Sequence, residues 1–243
     1  MLIQPLLISL LLTLNAMNAP LQDPPEAGQS AEFIEVDPAR SLGKPVPSME
    51  LIDLDGKKVD LSKTSDEILV LEFSLPSCRF AQRLYIQKRV QPLIRRWGKS
   101  GVKWVSIDSS FFAHPQRWRD WSAKYSLDHQ FLLDQEGQFA EALGVKVSPT
   151  YIVIHQGKIA YHGSLDDDIW GQNLERVILL DNALKAIQSD EEVAKAYNKP
   201  YGMAIRTRRV EATRRQEFDE ARKKALEKLD KPEKPDTGPD SKG

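Results

Sequence analysis

The sequence predicts an α/β protein in which a mixed central sheet is flanked by helices, with a charged helix added near the C-terminal end. Apolar runs typical of buried strands alternate with segments of helical periodicity between residues 49 and 188. Such alternation favours parallel strands joined by crossover helices. Two strand-like runs also meet at Gln156-Gly157, which predicts an antiparallel hairpin at the end of the sheet.

The composition excludes several classes of function. The chain has 243 residues, 34 Lys and Arg against 35 Asp and Glu, and a formal net charge of −1. A dedicated nucleic-acid partner is therefore not expected, since phosphate binding needs a basic excess. One Cys excludes an intramolecular disulfide and a zinc site built mainly from thiolates, and the four His are scattered. We expect no metal and no cofactor.

The N-terminal part differs from the rest of the chain. Residues 2–14 are mostly Leu and Ile, a run too short to span a bilayer as a helix. We interpret residues 1–19 as a signal peptide for export to the periplasm or cell envelope. An uncleaved anchor, the only membrane contact that we expect, and a buried helix remain alternatives. Residues 20–43, rich in Pro, Gly, Ser and acids, are interpreted as a linker.

Residues 44–188 are predicted to form a single domain. Its order of elements is β-β followed by β-α-β-α-β-α-β-β-α, and each element is bounded by Gly, Pro or polar turn residues. The predicted strands are 49–54, 59–61, 68–73, 102–107, 131–133, 150–155 and 158–162; the predicted helices are 79–97, 115–125, one ending near 143, and 169–187.

Residues 189–231 are predicted to be a charged helical extension, and residues 232–243 a disordered tail. Acids and bases interleave from residue 206 to residue 230 with few apolar residues among them. An exposed helix supported by i,i+4 ion pairs is the simplest interpretation. The alternative is an arm that docks onto a protein partner.

The only thiol lies where a strand gives way to a helix. Cys78 follows the apolar run 68–73 and directly precedes the predicted helix. Free N–H groups and the helix dipole at such a position favour the thiolate, and Arg79 and Arg83 add positive potential. The alternative is a small buried apolar residue. A redox role requires a sulfur that solvent can reach.

Two further residues are candidates for the same site. Glu72 interrupts the apolar strand, where burial would raise its pKa and make it a proton relay; alternatively it points outward or bonds locally. Pro149 stands in Ser148-Pro149-Thr150, just before a strand. A cis bond there would leave a backbone edge free to pair with an extended peptide, whereas an ordinary trans turn is the alternative.

Together these motifs resemble a redoxin of the thioredoxin-like superfamily, related to the alkyl hydroperoxide reductase/thiol-specific antioxidant group. The likeness covers roughly residues 44–187 and is most specific over 131–150, which includes Phe-Leu-Leu-Asp-Gln-Glu-Gly, Ala-Leu-Gly-Val and Pro-Thr. The resemblance implies that Pro149 is cis, that Cys78 is the attacking thiol and that Glu72 is the buried acid.

The chain departs from this family at the residues that carry its chemistry. Thioredoxins have Trp-Cys-x-x-Cys, where this chain has Ser77 and Ala81 in place of the Trp and the second Cys. Related redoxins often have Pro where Arg79 stands, peroxiredoxins have Thr or Ser where Leu75 stands, and some redoxins have a later Cys where Met203 stands.

Three functions follow from these observations. The first is an exported monothiol thiol-disulfide oxidoreductase that uses Cys78 on a protein or small-molecule thiol or disulfide. The second is a catalytically degenerate domain that binds a partner or serves as a scaffold. The third, a peroxidase, is the least supported because of Leu75. Fold alone does not choose among them.

Overall fold

A computed structural model of the protein describes residues 37–63 and 67–229. The expected signal peptide, most of the linker and the expected tail lie outside these residues. The strands are β1 (Glu50–Asp53), β2 (Lys58–Asp60), β3 (Leu69–Phe73), β4 (Lys103–Asp108), β5 (Gln130–Leu133), β6 (Val147–Ser148), β7 (Thr150–His155), β8 (Lys158–Gly163) and β9 (Met203–Ala204). The helices are α1 (Arg79–Ile86), α2 (Gln91–Lys99), α3 (Pro115–Tyr125), α4 (Gln138–Ala142), α5 (Leu179–Gln188) and α6 (Arg208–Leu229).

The main sheet of the described residues is mixed, as predicted, with the strand order β2-β1-β5-β4-β3-β7-β8. β4 lies between β3 and β5 and pairs parallel with both. β7 pairs antiparallel with β3 and with β8, and β1 joins the far side antiparallel to β5. β3 is thereby central, which explains its continuous apolar character. A second sheet, which the sequence did not predict, pairs β6 with β9.

The predicted helix over residues 79–97 is wrong as a single element, because it is broken into α1 and α2. Lys88, between them, adopts a left-handed conformation with a φ of 53°. Pro92 lies at the start of α2, where its missing N–H costs nothing. In a continuous helix the same proline would remove a hydrogen bond and clash with the carbonyl of Lys88.

The predicted helix over residues 169–187 is also wrong in its first half, since α5 starts only at Leu179. The carboxylate of Asp168 accepts hydrogen bonds from the backbone N–H groups of Gly171, Gln172 and Asn173. An aspartate that gathers local N–H groups in this way competes with helix formation. The segment before α5 therefore forms an ordered loop.

The core consists of two clusters, and β3 contributes to both. Leu69, Leu71 and Phe73 belong to one cluster, and Val70 belongs to the other. Alternate residues of a strand point to opposite faces of a sheet, so Glu72 is expected on the Val70 face. This division decides which side chains lie near each other in the site.

Helix α6 is exposed along almost its whole length, as predicted for the charged extension. Arg208 and Arg209 near its start form ion pairs with Glu136 and Glu141 of the domain. Phe218 and Leu226 are exposed apolar residues further along it. None of the helices in the described part of the chain has the length and apolar character needed to cross a membrane.

Candidate functional site: the thiol, the Pro149 loop and the strap

The thiol of Cys78 lies against the loop that carries Pro149. Cys78 caps the start of α1 with its own backbone, and its N–H donates to the carbonyl oxygen of Leu75 at 2.9 Å. Its Sγ donates to the carbonyl oxygen of Ser148 at 3.0 Å. The Ser148–Pro149 peptide bond is cis. Two of the three residues singled out in the sequence, Cys78 and Pro149, are thus brought together from 71 positions apart.

A second hydrogen bond fixes the two loops to each other. The N–H of Leu75 donates to Ser148 Oγ at 3.0 Å, and both groups are buried. On the other side of Pro149, the hydroxyl of Thr150 donates to the carbonyl oxygen of Val147 at 2.7 Å. The carbonyl that receives the thiol is therefore held in place from both sides of the proline.

The sulfur is not exposed in this conformation. Cys78 has 0% relative exposure and belongs to the apolar cluster that includes Leu75, Ala81 and Ile205. Its hydrogen bond to a carbonyl is one that only the protonated thiol can make. The requirement of a sulfur that solvent can reach is therefore not met while the surrounding segments stay where they are.

The segment formed by residues 196–207, which we call the strap, crosses the Pro149 loop. Its strand β9 pairs antiparallel with β6, so that Met203 lies opposite Ser148 and Ala204 opposite Val147. The N–H of Ile205 then donates to the carbonyl oxygen of Lys146 at 2.9 Å. A Cβ placed on Gly202 would lie 1.9 Å from the carbonyl oxygen of Ser148. The strap backbone and the thiol thus lie against the same carbonyl.

Polar side chains attach the start of the strap to the domain. Asn198 Oδ1 accepts hydrogen bonds from the backbone N–H of Ser164 at 2.8 Å and from its hydroxyl at 2.9 Å, while Asn198 Nδ2 donates to the Tyr161 hydroxyl at 2.8 Å. The Tyr201 hydroxyl donates to Asp166. The Tyr201 ring also lies 6.1 Å from the ring of Phe80, next to α1.

The end of the strap is held at the opposite side of the site. The carbonyl oxygen of Arg206 accepts from the N–H of Phe111 at 2.8 Å. The hydroxyl of Thr207 donates to Glu141 at 2.8 Å, just before α6 begins. The strap is therefore anchored on both sides of the thiol.

The acidic run Asp166-Asp167-Asp168 anchors the strap indirectly. Arg89 binds Asp166 at 2.8 Å and Asp168 at 2.9 Å, and all three side chains are at least 93% buried. Burial raises the pKa of Asp168, but the Arg89 guanidinium and three backbone N–H groups outweigh it and bring the pKa to about 2. The ion pair with Arg89 thus holds Asp166, the acceptor of the Tyr201 hydroxyl, in place.

Glu72 forms a separate buried network. Its Oε2 accepts from the Tyr85 hydroxyl and from Trp104 Nε1, each at 2.9 Å, and more weakly from the Ser106 hydroxyl at 3.4 Å. Burial raises the pKa of the Glu72 carboxyl, and the hydrogen bonds from Trp104 and Tyr85 oppose that rise. These partners lie on the Val70 face of the sheet. Among the described residues Glu72 has no hydrogen bond to Cys78 or to the Pro149 loop.

The strap is the part of the site that the sequence interpretation missed. Its only sequence signal is the run Pro200-Tyr201-Gly202-Met203, in which Pro and Gly favour an extended turn-like segment. Asn198 and Tyr201 carry no local pattern at all, because their partners Ser164 and Asp166 are more than 30 residues away.

A concave surface with a volume of about 720 Å³ is formed by α2 and the loop before β5, with Arg95, Arg96, Lys99, Trp104 and His129 among its lining residues. Neither Cys78 nor Pro149 nor any residue of the strap lines it.

The topology and the site together define a class of protein. A central β3 flanked by β4 and β7, a cysteine at the start of the following helix and a cis-proline loop against that cysteine form a thioredoxin-like arrangement. Residues 42–162 match the AhpC/TSA family. The chain is a thioredoxin-like redoxin related to that family, as the sequence resemblance predicted.

Three solved structures are similar to this chain. A hypothetical protein from Sinorhizobium meliloti is 20% identical, with 68% of this chain and 94% of that chain covered and a TM-score of 0.61. An uncharacterized conserved protein from Geobacillus kaustophilus is 23% identical, with 68% and 91% covered and a TM-score of 0.60. The thioredoxin domain of a thiol-disulfide oxidoreductase from Bacteroides vulgatus is 16% identical, with 50% and 86% covered and a TM-score of 0.44. A search of curated proteins gave no match.

Proposed function

We propose that the protein is a thiol-disulfide oxidoreductase that works with the single thiol of Cys78. One observation carries this proposal. Cys78 stands at the start of α1 with its Sγ 3.0 Å from the carbonyl oxygen of Ser148, directly before the cis-proline Pro149. The thiol of a redoxin thus lies beside a backbone edge suited to an extended chain.

The proposed reaction needs only one protein sulfur. The Cys78 thiol loses its proton, and the thiolate attacks a substrate disulfide. One S–S bond breaks, a mixed disulfide with Cys78 forms, and the other substrate sulfur leaves as a thiolate that takes up a proton. An external thiol then attacks the substrate sulfur of the mixed disulfide, so that Cys78 leaves as a thiolate and takes up a proton, while the external thiol and the substrate sulfur form a new disulfide that a second external thiol reduces. The external thiol is the reductant, because the chain has no second cysteine.

Two basic side chains lie near the start of α1. Arg79 and Arg83 lie in the first turns of the helix, and each guanidinium packs within 5.4 Å of the centre of the Phe80 ring. Positive charge and free N–H groups at a helix start are features that nucleophilic cysteines share in general. Glu72 is not used as a proton carrier in this proposal, since its hydrogen bonds join it to the aromatic network on the other face of the sheet.

The burial of Cys78 favours a second candidate function. A thiol with 0% exposure, beside a backbone edge already filled by the strap, fits a degenerate domain in which Cys78 is structural. In that case the protein would bind a partner through another surface, for example through α6. The two candidates differ in one respect: whether a substrate disulfide reaches Cys78 in the native protein.

Trapping of the mixed disulfide separates the two candidates. Native protein is incubated with excess oxidised glutathione, and intact mass is followed over time. The oxidoreductase proposal expects addition of one glutathione to Cys78, its removal by a second thiol, and turnover that is lost in Cys78→Ser. No adduct on native protein, with full reaction after denaturation, would support the structural role.

Export to the periplasm or cell envelope is part of the same proposal. It is supported by the Leu- and Ile-rich run at residues 2–14 and by the following Ala16 and Ala19. An oxidising compartment would also supply disulfide substrates. Fusion of residues 1–43 to a reporter that is active only outside the cytoplasm tests this, with Leu7→Arg and Leu11→Arg in the run as the control that should abolish export.

A further inference from the structure

We propose that the strap, residues 196–207, is a displaceable cover that controls access to Cys78. The inference concerns the thiol itself; its biological role rests on the function proposed above. In the closed state the strap occupies the backbone edge of the Pro149 loop and keeps the thiol buried. In the open state Cys78 and that edge become available together.

The strap and the thiol both contact the Ser148 carbonyl. Met203 pairs with Ser148, and the Gly202 backbone lies so close to the Ser148 carbonyl that a Cβ would be 1.9 Å from its oxygen. The Cys78 Sγ donates to that same oxygen at 3.0 Å. Ile205 of the strap also belongs to the apolar cluster around Cys78. Removal of the strap would therefore uncover this side of the thiol.

Close contacts at three glycines hold the strap in the closed state. Three glycines allow contacts at which the strap meets the domain closely. A Cβ on Gly163 would lie 2.2 Å from Asn198, and a Cβ on Gly137 would lie 2.4 Å from Thr207. Gly202 provides the third contact, against Ser148. A side chain at any of these positions would force the strap or the domain to shift, so the domain surface beneath the strap fits it closely.

Few apolar contacts hold the strap. Ile205 is its only apolar residue that is fully buried, whereas Met203 is 40% exposed. A cavity of about 240 Å³ is lined by Tyr197 and Pro200 of the strap and by Val147 and Thr150 of the domain. Segments with little buried apolar area and incomplete packing open at a lower free energy than the core does. The strap therefore opens without unfolding of the sheet.

Alkylation of Cys78 measures this opening. The native full chain is treated with iodoacetamide at constant pH, and the modified fraction is followed by mass. Gly202→Ala puts a methyl group against the Ser148 carbonyl and should speed alkylation by about tenfold or more, since overpacking of this kind costs more than the ~1.4 kcal/mol equivalent to a factor of ten. Gly98→Ala is the matched control, because a Cβ there meets nothing within 4 Å.

A second variant separates local opening from global unfolding. Leu184→Ala removes a fully buried side chain of α5 that belongs to a different core cluster from Cys78 and Ile205, and it lowers the free energy of unfolding. If the strap opens locally, Leu184→Ala alkylates at nearly the wild-type rate below the unfolding transition, while Gly202→Ala alkylates much faster. Rates that follow global stability in both variants would overturn the proposal.

The remaining outcomes are also decisive. Alkylation of the wild type at the rate of a free thiol would show that the strap does not cover Cys78 and would overturn the proposal. Fast alkylation of Gly202→Ala without any mixed disulfide from oxidised glutathione would support the strap and reject the oxidoreductase. The two proposals therefore fail in different measurements.

Discussion

Glu72 and Cys78 are six residues apart in sequence and equally buried, yet their surroundings differ in kind. Glu72 is enclosed by side chains of β4, β7 and α1, all of which belong to the core of the sheet. Cys78 is enclosed in part by a strap whose strand β9 pairs with only two residues of β6. The burial of Glu72 therefore depends on the core of the sheet, whereas the burial of Cys78 depends in part on the strap, which we propose to be displaceable.

The largest expected effect concerns the buried hydrogen bonds of Glu72. Glu72→Ala leaves the Tyr85 hydroxyl and the Trp104 indole N–H without their buried acceptor. Unsatisfied buried donors cost 1–3 kcal/mol each, so we expect a loss of about 4 kcal/mol in the free energy of unfolding. Urea denaturation followed by tryptophan fluorescence measures it. Glu72→Gln keeps one acceptor oxygen and should lose much less; equal losses in both variants would contradict this account.

The next effect is a pH dependence that arises beneath the strap. His162 is 1% exposed, its backbone binds Ala196 and Asn198 of the strap, and burial lowers its pKa from 6.5 to about 4. The unfolded chain takes up this proton at a higher pH than the folded chain does. The stability that neutral His162 contributes is therefore complete above pH 6.5 and is lost as the pH falls toward 4.

The measurement compares the wild type with His162→Gln. The wild type should lose up to about 3 kcal/mol relative to the variant between pH 6.5 and pH 4. Urea midpoints at half-unit steps of pH give this difference directly, and His114→Gln, at an exposed position, serves as the control. Parallel curves for wild type and His162→Gln would show that His162 does not resist protonation in the fold.

Asn198→Ala should lower the free energy of unfolding by a smaller amount but should clearly raise the alkylation rate of Cys78. Asn198→Ala leaves the buried Ser164 N–H without its acceptor, removes the hydrogen bond that Asn198 donates to the Tyr161 hydroxyl oxygen, and should cost about 2 kcal/mol. Because these bonds hold the strap, alkylation of Cys78 should rise by more than tenfold even where the core remains folded. Slow alkylation together with the full loss of stability would place Asn198 in the core and not in a movable cover.

The smallest effect is expected on α6. Phe218 is 67% exposed and has no recorded ring contact among the described residues. Phe218→Ser should change the free energy of unfolding by less than about 0.5 kcal/mol and should leave the alkylation rate of Cys78 unchanged. A loss above 1 kcal/mol would mean that α6 packs against the domain or a second molecule through this face.

The pattern of the sequence was sufficient for the central strands and for the position of Cys78 at the start of a helix. Runs such as residues 68–73 and 150–155 predict buried strands because both faces of a central strand must be apolar, and the structure confirms them. The division of residues 79–97 into two helices was missed, although Pro92 carried the signal. The late start of α5 was missed because Asp168 accepts hydrogen bonds from backbone N–H groups that a continuous helix would use internally.

The sequence by itself determined the mixed α/β sheet, the placement of Cys78 at a helix start and the presence of an exposed charged helix, since these depend on periodicity and on neighbours along the chain. Only the tertiary structure decided that Glu72 lies in an aromatic network apart from the thiol, and that residues 196–207 lie across the Pro149 loop. Contacts such as Met203 with Ser148 join positions 55 residues apart. No local pattern encodes such a contact, because the domain surface that the strap contacts exists only after the sheet has folded.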